Sequence, residues 1–415
     1  MAFLAQDICA TKNWTFSETL QSHYVITKSS DTPLADWPSV ELGTWRLSHC
    51  PSLPLTHLHF ADGALAGLVL GFAVNGDGTL LSEAHHMPVS ADDSDPFTRI
   101  ERFVEDLAGR FIVLLDWKGV TRLYPDPVCG LGPVYNPSLA RVGASTTLVL
   151  DRELSAPDNA ETAPTPLIFS ETTDRDVRRA VPNHYIDLTD FSLVRHWPRD
   201  DTVLARKEQD TDEIAAAINA RLGNTIQALV RNHRSILPIT GGTDSRLLLA
   251  AASDHLDAVH QFIVYHTNWA NSFDAEIAQQ IAQILCLPLR VISRDSPRVQ
   301  TALRPYDMRQ LVKRRALRGG FEVETAEKGS LRAMTLVSPG AIVLRGNVAE
   351  MTRALRWHPR VFDNPHETDF AMAKLNVYKG KAPQFDRGTV RGLAWKAALP
   401  VGAIPRRSAC LRGEL

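Results

Sequence analysis

The sequence predicts an α/β protein in two parts: a β-rich first part, and a second part built on a parallel sheet. Three observations carry this. Between residues 236 and 292, short apolar runs alternate with segments whose apolar residues recur at helical spacing, the pattern of strand, crossover helix and parallel strand. Before about residue 155, apolar runs are instead separated by tight-turn residues. At 415 residues the chain is also long enough for two separate cores.

Taken in order, the start M-A-F-L-A-Q-D-I-C has no basic region and no sustained apolar stretch, so no signal peptide is expected. The longest apolar run, residues 64–74, falls short of the ~18 residues a membrane span needs and reads as a buried strand pair. Residues 65–74 and 111–117 are the strongest strand candidates. The second leads through Lys118-Gly119 into residues 120–124, a hairpin with a two-residue turn. A short helix is expected over residues 99–107, and a turn-rich stretch from Asp126 to Pro133 enters a strand at Val134-Tyr135.

Residues 153–166 are rich in Pro, Ala and acids and read as a linker. Residues 181–188 and 194–198 form a second hairpin candidate. Ile214, Ile218, Leu222, Ile226 and Leu229 then recur at helical spacing, with Thr211 placed to cap the start. Strands are expected at residues 236–239, 259–265 and 289–292, with helices over 247–251 and 273–286 between them. Helices on both faces and right-handed crossovers would gather the loops along one edge, where nucleotides bind.

Composition narrows the function. A net charge of −2 gives no electrostatic footprint for nucleic acid or an anionic membrane. Five cysteines, odd in number and without C-x-x-C spacing, argue against zinc or redox work and fit a reducing cytoplasm.

The chemistry is concentrated at residues 236–252, I-L-P-I-T-G-G-T-D-S-R-L-L-L-A-A-A. A glycine loop between strand and helix faces the helix's N-terminal end, where unpaired N–H groups and the macrodipole favour an anion. Gly241 and Gly242 would allow φ > 0 and close ligand approach, while Thr240 and Ser245 add hydroxyl donors. Asp244 would repel bare phosphate, which points to a Mg²⁺ arriving with it. No Lys-Ser/Thr pair follows the glycines, so this is not a Walker loop. The alternative is an ordinary glycine turn.

Thr240 to Arg246, T-G-G-T-D-S-R, resembles the S/T-G-G-x-D-S loop of ATP pyrophosphatase enzymes, which split ATP between its α and β phosphates. G-R-F-I-V-L-L-D followed by R-L-Y-P-D-P-V-C-G-L-G-P-V-Y resembles the end of the glutaminase domain of asparagine synthetases. The resemblance implies a glutaminase-like αββα domain of N-terminal-nucleophile-hydrolase type over residues 1–155 and a linker and connecting hairpin over 156–204. It further implies a parallel-sheet synthetase domain of adenine-nucleotide α-hydrolase type over 205–415, apparently truncated at its C-terminus. In that family a cysteine after the initiator methionine releases ammonia from glutamine. Here the position is Ala2 and Cys9 cannot substitute, so glutaminase activity is expected to be absent. The β-lactam synthetases and lasso-peptide macrolactam synthetases share that feature.

The same resemblance assigns further residues. Asp274 and Glu276 form a D-x-E-x-A pattern that asparagine synthetases also carry; acids in a helix's first turn are otherwise ordinary surface residues. Gly346-Asn347-Val348-Ala349-Glu350 is similar to the family's G-E-G-A-D-E loop, with Glu350 as the second metal acid beside Asp244 and Asn347 where a glutamate usually sits. The resemblance implies ATP and Mg²⁺, with Thr240, Gly241, Gly242, Thr243, Asp244 and Ser245 on the pyrophosphate and Arg246 or Arg345 on developing negative charge. The implied partners are a small-molecule or peptide carboxylate and an amine or ammonia, with no nucleic acid and no membrane; a homodimer is compatible with this. Lys374, Lys379, Lys381 and Lys396 are available for the family's adenylate lysine, but none has its context. Two other readings stay open: nucleobase or tRNA modification by adenylation, and a non-catalytic relative that binds ATP or acts as a scaffold.

Overall fold

In the computed structural model the described residues are 3–34, 36–155, 170–198, 211–266, 272–293, 317, 337–338 and 340–346. They form a mixed α/β protein with several sheets, one of them parallel. The N-terminal unit begins with α1 (Leu4–Thr11), α2 (Phe16–Thr19), β1 (Tyr24–Lys28), β2 (Ser39–Leu42) and β3 (Trp45–His49). It continues through β4 (Leu55–His59), β5 (Leu65–Val74), β6 (Ala84–His86), α3 (Pro96–Glu105), β7 (Ala108–Trp117) and β8 (Val120–Pro125). Then come β9 (Val134–Asn136), β10 (Arg141–Gly143), β11 (Arg178–Arg179), β12 (His184–Asp187) and β13 (Leu193–Arg195).

Six strands pair in the order β11-β9-β10-β1-β3-β2 and seven in the order β13-β12-β8-β7-β5-β4-β6. The sheets face each other across one core, with Tyr24, Ile26, Trp45 and Leu47 from the first against Leu68, Leu70, Ile112 and Leu114 from the second. Strand alternation sends the intervening residues outward. Val69, Val113 and Leu115 meet Ile100 and Val104 of α3, while Val25 meets Ala5 and Cys9 of α1 and Phe16 of α2. The result is four layers: helices, sheet, sheet, helix. Leu317, far along the chain, is 1% exposed within the α1–α2 cluster, and its carbonyl accepts the Thr147 hydroxyl at 2.6 Å.

Several local expectations meet the structure here. Residues 65–74 are one ten-residue strand, not a strand pair. Its glycines do not turn the chain; at Gly71, φ is +106° and the Arg110 carbonyl of β7 lies where a Cβ would be. The β7–β8 turn is the expected two-residue one, since Trp117 pairs with Val120 and both Lys118 (φ 50°) and Gly119 (φ 83°) are left-handed. The helix expected at 99–107 starts earlier, because Asp95 accepts the Thr98 N–H at 3.2 Å and Pro96 opens the first turn. The hairpin of β12 and β13 is part of the seven-stranded sheet, with Ile186 opposite Leu123 of β8.

The second unit comprises α4 (Thr211–Asn232), β14 (Ser235–Pro238), α5 (Thr243–Ala251), β15 (Gln261–His266), α6 (Ser272–Ile284), β16 (Leu289–Ser293) and β17 (Ile342–Val343). Its strands are all parallel, in the order β16-β15-β14-β17. Among the described residues α4, α5 and α6 all pack on one face, against Leu237, Ile239, Phe262 and Val264. Two consecutive crossovers running the same way along a sheet put both helices on one side when each is right-handed. The other face carries Ile236, Ile263 and Ile292, with Val337, Ala341 and Val343 beside them. The expectation of helices on both faces is therefore met on one face within the described residues.

The apolar stripe of α4 is buried only in its later half: Ile226 is 2% exposed, whereas Ile214 and Ile218 are 41% and 56% exposed. That later half also joins the two units. Ala228 and Leu229 pack with Val74 of β5, the His233 ring meets Phe72 edge-on at 4.7 Å, and Arg221 pairs with Asp106 at 2.7 Å. No helix of the described residues is long and apolar enough to cross a membrane.

Burial holds three histidines below their usual pKa: His49, His85 and His233, with a bond to the Cys50 carbonyl opposing the shift at His49 and Asp77 opposing it at His85. A lowered native pKa means the unfolded chain binds protons first as pH falls, so stability rises with pH across this window. Thermal midpoints are expected to drop as pH is lowered from about 7 to about 5.5. A flat or rising midpoint over that range would contradict the burial of these rings.

Candidate functional site

β14 runs into the glycine loop through Ile239, which is fully buried and donates its N–H to Ile263 at 2.8 Å. The chain leaves the sheet there, and α5 begins after Gly242 (φ −69°, ψ 147°), with no side-chain cap on its first turn. A helix start without a side-chain cap keeps its N–H groups for water or a ligand. Asp244 lies in that first turn.

The loop is held by its own side chains. Thr240 Oγ1 and Ser245 Oγ are 2.7 Å apart, the Ser245 hydroxyl also lies 3.1 Å from the Gly242 carbonyl, and Gly242 N–H donates to Thr240 Oγ1 at 3.1 Å. The two hydroxyls expected to face an anion thus bond within the loop, as do the N–H groups of Thr240 and Gly242. The reason for the glycines also differs from expectation. Neither Gly241 nor Gly242 has a positive φ. At Gly241 a Cβ would lie 2.9 Å from both Asp274 Oδ1 and Ile277 Cδ1, so a side chain there would have to push the tips of two α6 side chains aside.

Two neighbouring elements bracket the loop. From α6, Asp274 Oδ1 accepts the Gly241 N–H at 3.0 Å. From the end of β17, Gly346 sits against the backbone of Asp244; a Cβ there would lie 2.6 Å from the Asp244 carbonyl oxygen and 2.7 Å from its carbon. A backbone carbonyl cannot swing aside as a side-chain tip can. Gly346→Ala is therefore expected to displace the start of α5 and destabilise the protein by about 1–3 kcal/mol. Thermal melting checks this, and an unchanged midpoint would show the loop is not held from this side.

The structure thus brings together residues 240–246, Asp274 and Gly346. The side chains of Arg246, Glu276 and Arg345 are exposed. Asn347, Glu350, Ala2 and Lys374, Lys379, Lys381 and Lys396 lie outside the described residues. Among the described residues no group of three or more His, Cys, Asp or Glu could hold a metal ion. Ile277 was legible from sequence only as part of the apolar face of α6; its spacing, one turn beyond Asp274, is the signal that puts it beside the loop.

Two cysteines of the N-terminal unit bear on nucleophilic chemistry. Cys9 is buried on α1. The Cys129 thiol is pushed up to about 12 by burial and by the nearby Asp126 carboxylate, with Arg179 opposing. A thiol so rarely ionised is a poor nucleophile. Compared with protein-family models and with curated proteins, the chain matches none.

Proposed function

We propose that this chain is an ATP-dependent amide-bond-forming synthetase of asparagine synthetase type, without glutamine hydrolysis. The observation that carries the reading is the T-G-G-T-D-S loop at the end of a parallel strand, opening a helix with no side-chain cap and bracketed by Asp274 and Gly346. The N-terminal unit, two facing sheets with helices on their outer sides, supports a glutaminase-like ancestry.

In this reading the first-turn N–H groups of α5 hold the pyrophosphate end of ATP. Asp244, with Glu350, would hold the Mg²⁺, whose chemistry is to neutralise charge on the phosphates. Thr240 and Ser245 keep the loop in shape, and the exposed Arg246 or Arg345 would supply a cation for charge developing at the α-phosphate. A carboxylate attacks that phosphorus with loss of pyrophosphate, and an amine or ammonia then displaces AMP.

The test is calorimetric titration of the purified chain with ATP with and without Mg²⁺, followed by a screen of carboxylate and amine pairs for AMP release. Metal-dependent binding with AMP formation is the expected result. Binding without AMP for any pair would favour a scaffold that retains the nucleotide site, a reading the inward-turned Thr240 and Ser245 hydroxyls also suit. No binding by folded protein would overturn both.

A further inference from the structure

We infer that Asp274 is a positioning residue for the phosphate loop, acting through the Gly241 N–H and not as a metal ligand. This rests on the nucleotide-binding reading above. The distance of 3.0 Å from Gly241 N to Asp274 Oδ1 spans 33 residues of sequence and joins two successive strand-loop-helix units. It is a charge-assisted bond, the stronger kind.

The position accounts for how a carboxylate can lie so close to an anion site without repelling the anion. Asp274 is in the first turn of α6, where the helix macrodipole offsets its negative charge. Its oxygen meets a loop N–H whose direction is thereby fixed, leaving the first turn of α5 as the anion-facing surface. The packing also sets the arm length. A Cβ at Gly241 would lie 2.9 Å from both Oδ1 and Ile277 Cδ1, so loop and helix are in close contact and a glutamate at 274 would have to shift one of them to seat its extra methylene. Glu276, two residues on, is exposed and does not share this role.

The experiment compares Asp274→Asn, which keeps an Oδ1 acceptor, with Asp274→Ala, which loses it. Amide hydrogen exchange over residues 239–246 is read without ligand, and calorimetric affinity for Mg-ATP is read separately, after each variant is shown to melt cooperatively. Positioning through the N–H predicts that the alanine variant loses loop protection and binds Mg-ATP about tenfold more weakly, whereas the asparagine variant stays within about twofold on both measures. Unchanged exchange in the alanine variant would overturn the inference. So would an asparagine variant that binds as poorly as alanine while its exchange is normal, because the charge itself would then be in use at the metal. Should the unmodified protein fail to bind Mg-ATP, the nucleotide reading fails, and the exchange comparison still decides whether Asp274 holds the loop.

Discussion

Asp244→Asn is expected, on the proposed nucleotide-binding reading, to abolish magnesium-dependent ATP binding, lowering affinity at least about a hundredfold, some 2.7 kcal/mol, while the protein stays folded. Asparagine matches aspartate in shape, so the packing of Gly346 against the Asp244 backbone is undisturbed. The lost charge near the positive end of α5 costs that helix only about 0.3–1 kcal/mol. A neutral amide, by contrast, is a much weaker partner than a carboxylate for a hard dication. Calorimetry at several Mg²⁺ concentrations reads the effect, with thermal melting as the control. Retained metal-dependent binding would remove Asp244 from the metal site, even if the backbone donors still hold phosphate.

Trp45→Ala should be the most damaging single truncation of the N-terminal core, costing about 3–5 kcal/mol. The side chain is 2% exposed within the inter-sheet cluster. Its ring meets Phe191 edge-on at 6.0 Å and carries the Lys28 ammonium 3.7 Å from its centroid. Removal leaves a large void between two sheets whose backbones are fixed by their ladders, so the walls cannot close over it. Urea unfolding followed by near-ultraviolet circular dichroism measures the loss. A change below about 1 kcal/mol would mean that the inter-sheet space repacks far more freely than the ladders suggest.

How much could be seen in the sequence followed the range of the interactions involved. The Lys118-Gly119 turn and the strand-loop-helix at 236–251 were legible because period and turn chemistry are local. The strand at 65–74 was legible too, although the run at 64–74 was also read as a strand pair; only the position of β7 shows that the chain stays extended through Gly71, which admits a neighbouring backbone. The reason for Gly241 was hidden in the same way. A sequence shows two glycines beside a helix start; it does not show that a helix beginning at residue 272 presses on one of them. Hydroxyl direction at Thr240 and Ser245 was likewise invisible, since either residue bonds inward or outward with equal ease in one dimension. Asp274 was recognisable as a candidate, yet its bond to Gly241 depends on two crossovers lying side by side.

Leu317 carries a consequence for dissecting the molecule. Its side chain completes the cluster beneath α1 and α2, among Phe3, Phe16, Leu20 and Trp37, although it is separated from them by the whole of the first parallel strands. A fragment ending near residue 198 would thus keep both N-terminal sheets but lose the residue that closes the α1–α2 cluster, and it would also uncover Phe72 and Val74, where α4 and His233 had rested. The two halves are therefore not independent modules to be cut apart and recombined. Each is finished by residues of the other, and a sequence comparison that treats either half alone describes a protein with its seams exposed.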